Sequence, residues 1–344
     1  MSPFQGSFPP SLMPSSSSST TREPAITIAT SPVNAKYREL HRQLESKWLS
    51  AMNSTPSAEA KKSRKIRKLV LDGIPASVRG VVWLYLTDSK GRRMPGLYEK
   101  LCMRGKVAAS DEIWMDIQSH FSGHIHLCDP DGPLMSLLQA YFCMVPDTEY
   151  NYSLSLVAGH VLLQTPEEDA FWTFVALMDN HLRGYFSSVA RLLEIDSLLF
   201  EKALNTYDKS IAVRLFNTLQ VSPLELCRNW FPSLFSVTLP SSHLNRTWDV
   251  IMLFETAPIL FRIGLAIISF AQPYIMNPAR CRTGAEALAY LSQPPAEIFP
   301  PDPDQIVQTA MSVKLKEDEL RKMRSKVEHE VRKRSVLPRT ATFR

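Results

Sequence analysis

Glycine is scarce in this 344-residue chain, with 12 residues against 25 prolines. Tight hairpins and phosphate-cradling loops need residues that tolerate left-handed backbone. Neither a sheet-rich architecture nor a nucleotide-binding loop is therefore expected. Cysteine is sparse as well. Cys102, Cys128, Cys143, Cys227 and Cys281 are odd in number, widely spaced and never arranged as a CxxC pair. That pattern indicates neither a disulfide framework nor a zinc site, so no metal and no cofactor are expected, and a reducing compartment fits. The N-terminus lacks a basic start followed by an apolar core, so an ordinary secretory signal is not expected. Uninterrupted apolar runs are missing too. In the most apolar stretch, residues 250–270, Glu255 and Arg262 intervene and Pro258 stands near the middle, which predicts two packed core helices and no transmembrane segment.

What is present is a chain with 44% hydrophobic and 21% charged residues, enough to build a sizeable core. The net charge of +5 is concentrated over residues 61–68 and after Lys314. Solvated basic faces explain both segments, and peripheral contact with an anionic membrane is the other reading. No aromatic-interleaved basic stripe accompanies the charge, so nucleic acid is not an expected partner.

Residues 1–34 are dominated by serine, threonine and proline and read as a disordered tail. A short helix and basic linker are expected over 35–66, a folded domain over 67–332, and a second disordered tail over 333–344. Within the linker segment, Tyr37, Leu40, Leu44, Trp48 and Leu49 recur at helical spacing over residues 34–52. Helix starts are legible further on. Thr165-Pro166-Glu167 and Ser222-Pro223-Leu224-Glu225 each offer an N-cap hydroxyl, a proline at the first helical position and an early glutamate. Ser110-Asp111-Glu112 offers a cap and two anions at the positive end of a helix through Asp116. A last helix is expected over residues 304–334, with Val313, Leu320 and Val327 as its docked stripe. No run alternates apolar and polar residues with turn glycines, so the fold class is all-α.

Several motifs narrow the fold further. Gly73-Ile74-Pro75 precedes Arg79-Gly80-Val81-Val82-Trp83, and Ala170-Phe171-Trp172, Leu182-Arg183-Gly184-Tyr185, Trp230-Phe231, Arg246-Thr247-Trp248-Asp249 and Leu260-Phe261-Arg262 follow in order. Read alone, Trp83, Phe171, Trp172, Trp230 and Trp248 are core anchors, while Arg79, Arg246 and Asp249 are paired charges that tie helices together. Taken together, over residues 67–332, these motifs resemble the TBC-domain family of Rab GTPase-activating proteins. The resemblance implies a TBC-type multi-helix domain and a GTP-bound Rab-type GTPase as partner. It also implies a role in vesicle and membrane traffic, and a cytoplasmic location, peripheral on endomembranes.

Active members of that family insert an arginine and a glutamine into the GTPase site. The guanidinium stabilises charge growing on the transferred phosphate and the carboxamide orients the attacking water. The arginine ends an Ile-x-x-Asp-x-x-Arg motif, where this chain has Ile113, Asp116 and then Ser119. The glutamine ends a Tyr-x-Gln motif, where it has Tyr150 and then Tyr152. Anchoring on Tyr152 instead would put Leu154 at the glutamine position. A hydroxyl carries no charge, and a phenol lacks the donor-plus-acceptor geometry of an amide. Neither Gln118 nor His120 restores the missing group. No catalytic residue is thus expected at these positions, and Ile113, Asp116, Ser119, Tyr150 and Tyr152 are expected to form a partner surface. Two rivals stand beside this reading. One is a GTPase activator that uses non-standard residues such as Arg92, Arg93 or Arg183; the other is a helical scaffold for partners that are not GTPases.

Overall fold

The computed structural model describes residues 32–186, 191–254 and 257–336. The N-terminal tail lies outside them up to residue 31, as do Glu255 and residues 337–344. The chain divides into two units, Met1–Leu40 and His41–Arg344. Of the first unit, the described part is helical.

The longer helices are α1 (Pro32–Ser54), α2 (Arg64–Asp72), α3 (Arg79–Leu86), α4 (Ser110–Phe121), α5 (Pro133–Met144), α6 (Tyr152–Leu162) and α7 (Glu167–Leu177). After residues 187–190 come α8 (Leu192–Tyr207), α9 (Pro223–Trp230), α10 (Ser241–Leu253), α11 (Ala257–Ile275), α12 (Gly284–Ser292), α13 (Asp304–Ser312) and α14 (Glu317–Val336). One-turn helices join several of them, and no strand occurs among the described residues. The fold is all-α, as the missing turn glycines indicate.

The apolar stretch near residue 250 does break into two helices, α10 and α11. Pro258 falls at the second residue of α11, where its missing N–H would be unpaired in any case. α11 is long and apolar enough to cross a membrane by length and composition. Most of it is buried here, against α8, α10, α12 and α13.

One network links the first and last thirds of the second unit. Asp249, fully buried on α10, accepts hydrogen bonds from Arg79 Nε at 3.0 Å and Trp83 Nε1 at 2.8 Å. Arg246, one turn earlier, pairs with Asp304 and donates from Nη2 to the Leu71 carbonyl at 2.7 Å. Burial pushes the Asp249 carboxyl up to about 6 against the pull of Arg79 and Arg246. Beside it, the His160 ring lies 4.5 Å from Trp248 and 5.9 Å from Trp83. Burial, helped by Arg79, lowers that imidazole to about 4. Trp48 Nε1 donates to the Gly73 carbonyl at 3.0 Å and joins α1 to the turn before α3.

Several expectations need correction. Thr165 does not cap α7, because its hydroxyl donates to the Val161 carbonyl of the preceding helix. Ser110 lies inside α4, where its hydroxyl accepts from Val107 N and Gln139 Nε2. Ser222 does cap α9, accepting from Glu225 N. On α1, Trp48 is buried and Leu44 partly so, but Leu40 and Leu49 are exposed; the side chain of Tyr37 lies outside the described residues. The single last helix is two helices, α13 and α14, and the second runs on to Val336. Between them the Val313 and Leu315 carbonyls accept hydrogen bonds from Arg262 at 2.6 and 2.8 Å. A half-buried guanidinium thus satisfies the acceptors that a continuous helix would have used. Val313, Leu320 and Val327 are nonetheless buried, and α14 packs on α8.

Candidate functional site

α4 buries Ile113, Ile117 and Phe121 at spacings of four, so one stripe faces α5 and α6. Phe121 lies over Gly159 of α6, where an added Cβ would stand 2.2 Å from the Phe121 Cζ. Only a residue without a side chain allows α4 to lie this close to α6. The other side of α4 carries Asp116, half-buried, and Ser119, exposed.

Asn151 caps α6 by accepting from Ser153 N, which sets Tyr150 before the helix and Tyr152 as its first residue. The Tyr150 hydroxyl donates to Asp116 Oδ2 at 2.8 Å and lies 2.6 Å from Ser155 Oγ. Since the Tyr150 proton goes to Asp116, Ser155 is the donor in the second contact. Burial drives the Tyr150 phenol well above its ordinary value; the Ser155 hydrogen bond opposes that shift and Asp116 adds to it. Tyr150 therefore remains a donor throughout the physiological range, and the two windows are held together by a neutral phenol on a carboxylate.

Ser119 ends in a hydroxyl at the surface of α4. The neighbouring His120 ring stacks on Tyr152, with centroids 5.8 Å apart and planes inclined by 14°. Its Nδ1 lies 2.8 Å from the Asp116 carbonyl. A carbonyl only accepts, so Nδ1 is the donor in that contact. Nothing in this arrangement supplies a permanent positive charge.

Tyr150 and Tyr152 also line a cleft of about 370 Å³, whose lining further includes Tyr185, Phe186, Leu193 and Arg228. The Tyr185 hydroxyl donates to buried Asp196 Oδ2 at 2.7 Å, and Arg324 of α14 pairs with the same carboxylate. That part of the lining is thereby tied to the C-terminal helix. Arg228, on the last turn of α9, is exposed and has no hydrogen-bond or ion-pair partner among the described residues.

The structure brings Asp116, Tyr150 and Tyr152 into one region, with Ser119 next in sequence to the ring that covers Tyr152. Ile113 requires correction as a surface residue: it is fully buried and supports α4 from within. The three alternative arginines are all engaged outside the cleft. Arg92 pairs with Asp179 at 2.9 Å, Arg93 with Glu168 and Asp169, and Arg183 with Asp147 at 3.4 Å. Arg79, Trp83, Arg246, Trp248 and Asp249 stand in the buried network, and Trp172 is buried with its indole N–H unpaired. Arg228, His120 and Ser155 were not singled out as site residues from the sequence. Arg228 follows a buried cysteine and precedes a core tryptophan by two, and nothing in that local pattern marks it as a cleft residue.

Residues 76–276 match the model of the Rab-GTPase-TBC domain. The chain is 32% identical over 240 residues to mouse TBC1 domain family member 10A, covering 68% of this chain and 48% of that protein. It is 28% identical over 275 residues to mouse Carabin, covering 76% of this chain and 60% of that protein. Against the first of these, the match takes in about half of the relative's length. Among solved structures, the Chlamydomonas flagellar RabGAP TBC domain superposes with a TM-score of 0.61 at 22% identity, covering 82% of this chain and 96% of that one. The Ypt/Rab-GAP domain of Gyp1p superposes with a TM-score of 0.59 at 12% identity, covering 78% and 97%. At those identities the two structures speak for the fold alone. The family match and the sequence relatives carry the assignment: this chain belongs to the Rab-GTPase-TBC domain family.

Proposed function

We propose that this protein docks a GTP-bound Rab-type GTPase across the Asp116–Tyr150 region and stimulates its hydrolysis weakly or not at all. The observation that carries this reading is the pair of groups at the finger positions. The Ser119 side chain ends in a hydroxyl, and Tyr152 is a phenol covered by His120. An arginine inserted in trans is worth about 10³ to 10⁵ in rate, or roughly 4 to 7 kcal/mol of barrier. Neutral donors at the protein surface do not replace a term of that size. The retained Tyr150 to Asp116 hydrogen bond supports docking, because it holds α4 and the start of α6 together without any demand for chemistry.

Such a protein acts as an effector, competitor or scaffold in vesicle traffic. In this reading it is cytoplasmic, and the exposed Arg64, Lys65 and Lys68 of α2 face an anionic endomembrane surface. Single-turnover GTP hydrolysis by a panel of Rabs, with and without the protein, tests the reading. The expected rates stay within tenfold of the intrinsic ones. An acceleration of a hundredfold or more would overturn it. The double variant Ser119→Arg with Tyr152→Gln is expected to create acceleration for the Rab that docks.

A further inference from the structure

Asp196 of α8 is buried, and side chains from two separate parts of the chain reach its two oxygens. The Tyr185 hydroxyl donates to Oδ2 at 2.7 Å, and Arg324 Nη2 of α14 donates to Oδ1. Burial raises the Asp196 carboxyl, with Arg324 and then Tyr185 opposing the rise. Without Arg324 that group must either bury an unpaired charge or take up a proton. Once protonated, it is a weaker acceptor for the Tyr185 hydroxyl.

One backbone step connects Tyr185 to the docking region. The carbonyl of its neighbour Phe186 accepts a hydrogen bond of 3.0 Å from Glu149 N. Glu149 directly precedes Tyr150, whose hydroxyl donates to Asp116. The turn carrying Tyr185 rests directly on α8, since an added Cβ at Gly184 would stand 2.4 Å from Leu192 Cδ2. Packing this close passes a displacement on. At the other end, α14 is seated by Leu320, Val327 and Val331 and by the Arg324 pair. A second ion pair to α8, Lys202 with Glu330, spans 3.9 Å between exposed groups and contributes little.

We propose that Arg324 is a positioning residue for GTPase docking: by fixing Asp196 and Tyr185 it holds the Glu149–Tyr150 segment in its docking conformation. The proposal rests on the docking reading above, because Tyr150 and Asp116 are where that reading places the partner. The seating of α14 then governs affinity for the GTPase, and displacement of α14 loosens the site. Such a link is established by coupling between substitutions and not by a chain of contacts alone.

Hydrogen exchange of the full chain, followed by mass spectrometry, reads the link without a partner. Arg324→Ala is expected to accelerate exchange over residues 147–152 by about tenfold, the size of one charge-assisted hydrogen bond, and to leave α10 unchanged. Tyr185→Phe is expected to do the same, and the double variant no more than either alone. Arg324→Lys is expected to restore part of the protection, and Lys202→Ala to change nothing beyond about twofold. Binding to a Rab panel loaded with a non-hydrolysable GTP analogue is then measured at a temperature where every variant is fully folded. There Arg324→Ala is expected to lower affinity by about fivefold or more. Unchanged exchange over 147–152 would overturn the proposal. Equal acceleration in α10 would overturn it too, by reducing Arg324 to a general stabiliser, and so would faster exchange with unchanged affinity. Failure of the unaltered protein to bind any Rab would defeat the docking reading itself, a result distinct from these because the exchange rates need no GTPase.

Discussion

Around Asp249 and around Asp116 the same kind of residue sits in opposite circumstances. Asp249 is fully buried and faces two guanidiniums and an indole N–H, so its charge is compensated inside the protein. Asp116 is half-buried and its carboxylate, among the described residues, meets a phenol alone, with the exposed Ser119 hydroxyl three residues on. The first arrangement holds helices α3 and α10 together. The second keeps two surface elements in register and, among the described residues, holds no cation against its carboxylate. Scaffold and chemistry are thus separable in this fold, and the family relationship is carried by the scaffold.

The comparison breaks most visibly at Asp249. Asp249→Ala leaves Arg79 and Arg246 without their buried counter-charge, and a loss of about 3 to 5 kcal/mol of stability is expected in urea unfolding. A loss below 1 kcal/mol would mean that the network is not what joins the two regions.

Within the same network His160 contributes stability that acid removes, while the raised Asp249 carboxyl acts in the opposite sense. Because His160 is lowered to about 4 when folded and titrates near 6.5 when unfolded, its contribution is complete above pH 6.5. It is lost as the pH falls toward 4, and the full difference is about 3 kcal/mol. His160→Gln removes that group, so the urea midpoint of the unaltered protein should fall more between pH 7 and pH 4.5 than the variant's. Parallel curves would show that the imidazole is not held neutral.

The smallest effect belongs to the surface site. Tyr150→Phe deletes the donor to Asp116 and the acceptor for Ser155, and a cost of about 1 kcal/mol is expected, with Rab affinity reduced as the two windows loosen. Unchanged affinity would separate the Asp116–Tyr150 contact from docking.

Much of the scaffold was legible in the sequence because it rests on residue types with few alternatives. Trp83, Trp230 and Trp248 read as anchors and are buried, each with its indole N–H satisfied. Ser222 read as a cap and is one. Where the reading failed, another hydrogen-bond partner had intervened. Thr165 spends its hydroxyl on the helix before it, and Arg262 divides the last helix from some fifty residues away. Periodicity registers neither. At the candidate site, the expectation of a hydroxyl and a phenol where the resemblance implies an arginine and a glutamine came from residue types alone. The burial of Ile113 under the same helix was not legible, because Ile113 belongs both to a finger motif and to an amphipathic stripe. Arg228 stayed hidden for a similar reason: cleft residues gathered from three parts of a chain leave no common spacing.

The bare backbone at Gly159 sets the gauge between the Ser119 and Tyr152 positions. The ring of Phe121 occupies the volume a methyl would need, so the separation of α4 from α6 depends on contacts that involve neither Ser119 nor Tyr152. Side chains at those two positions can be exchanged while the distance between them is left alone. A chain built this way accepts point substitutions at either position with no refitting of the frame.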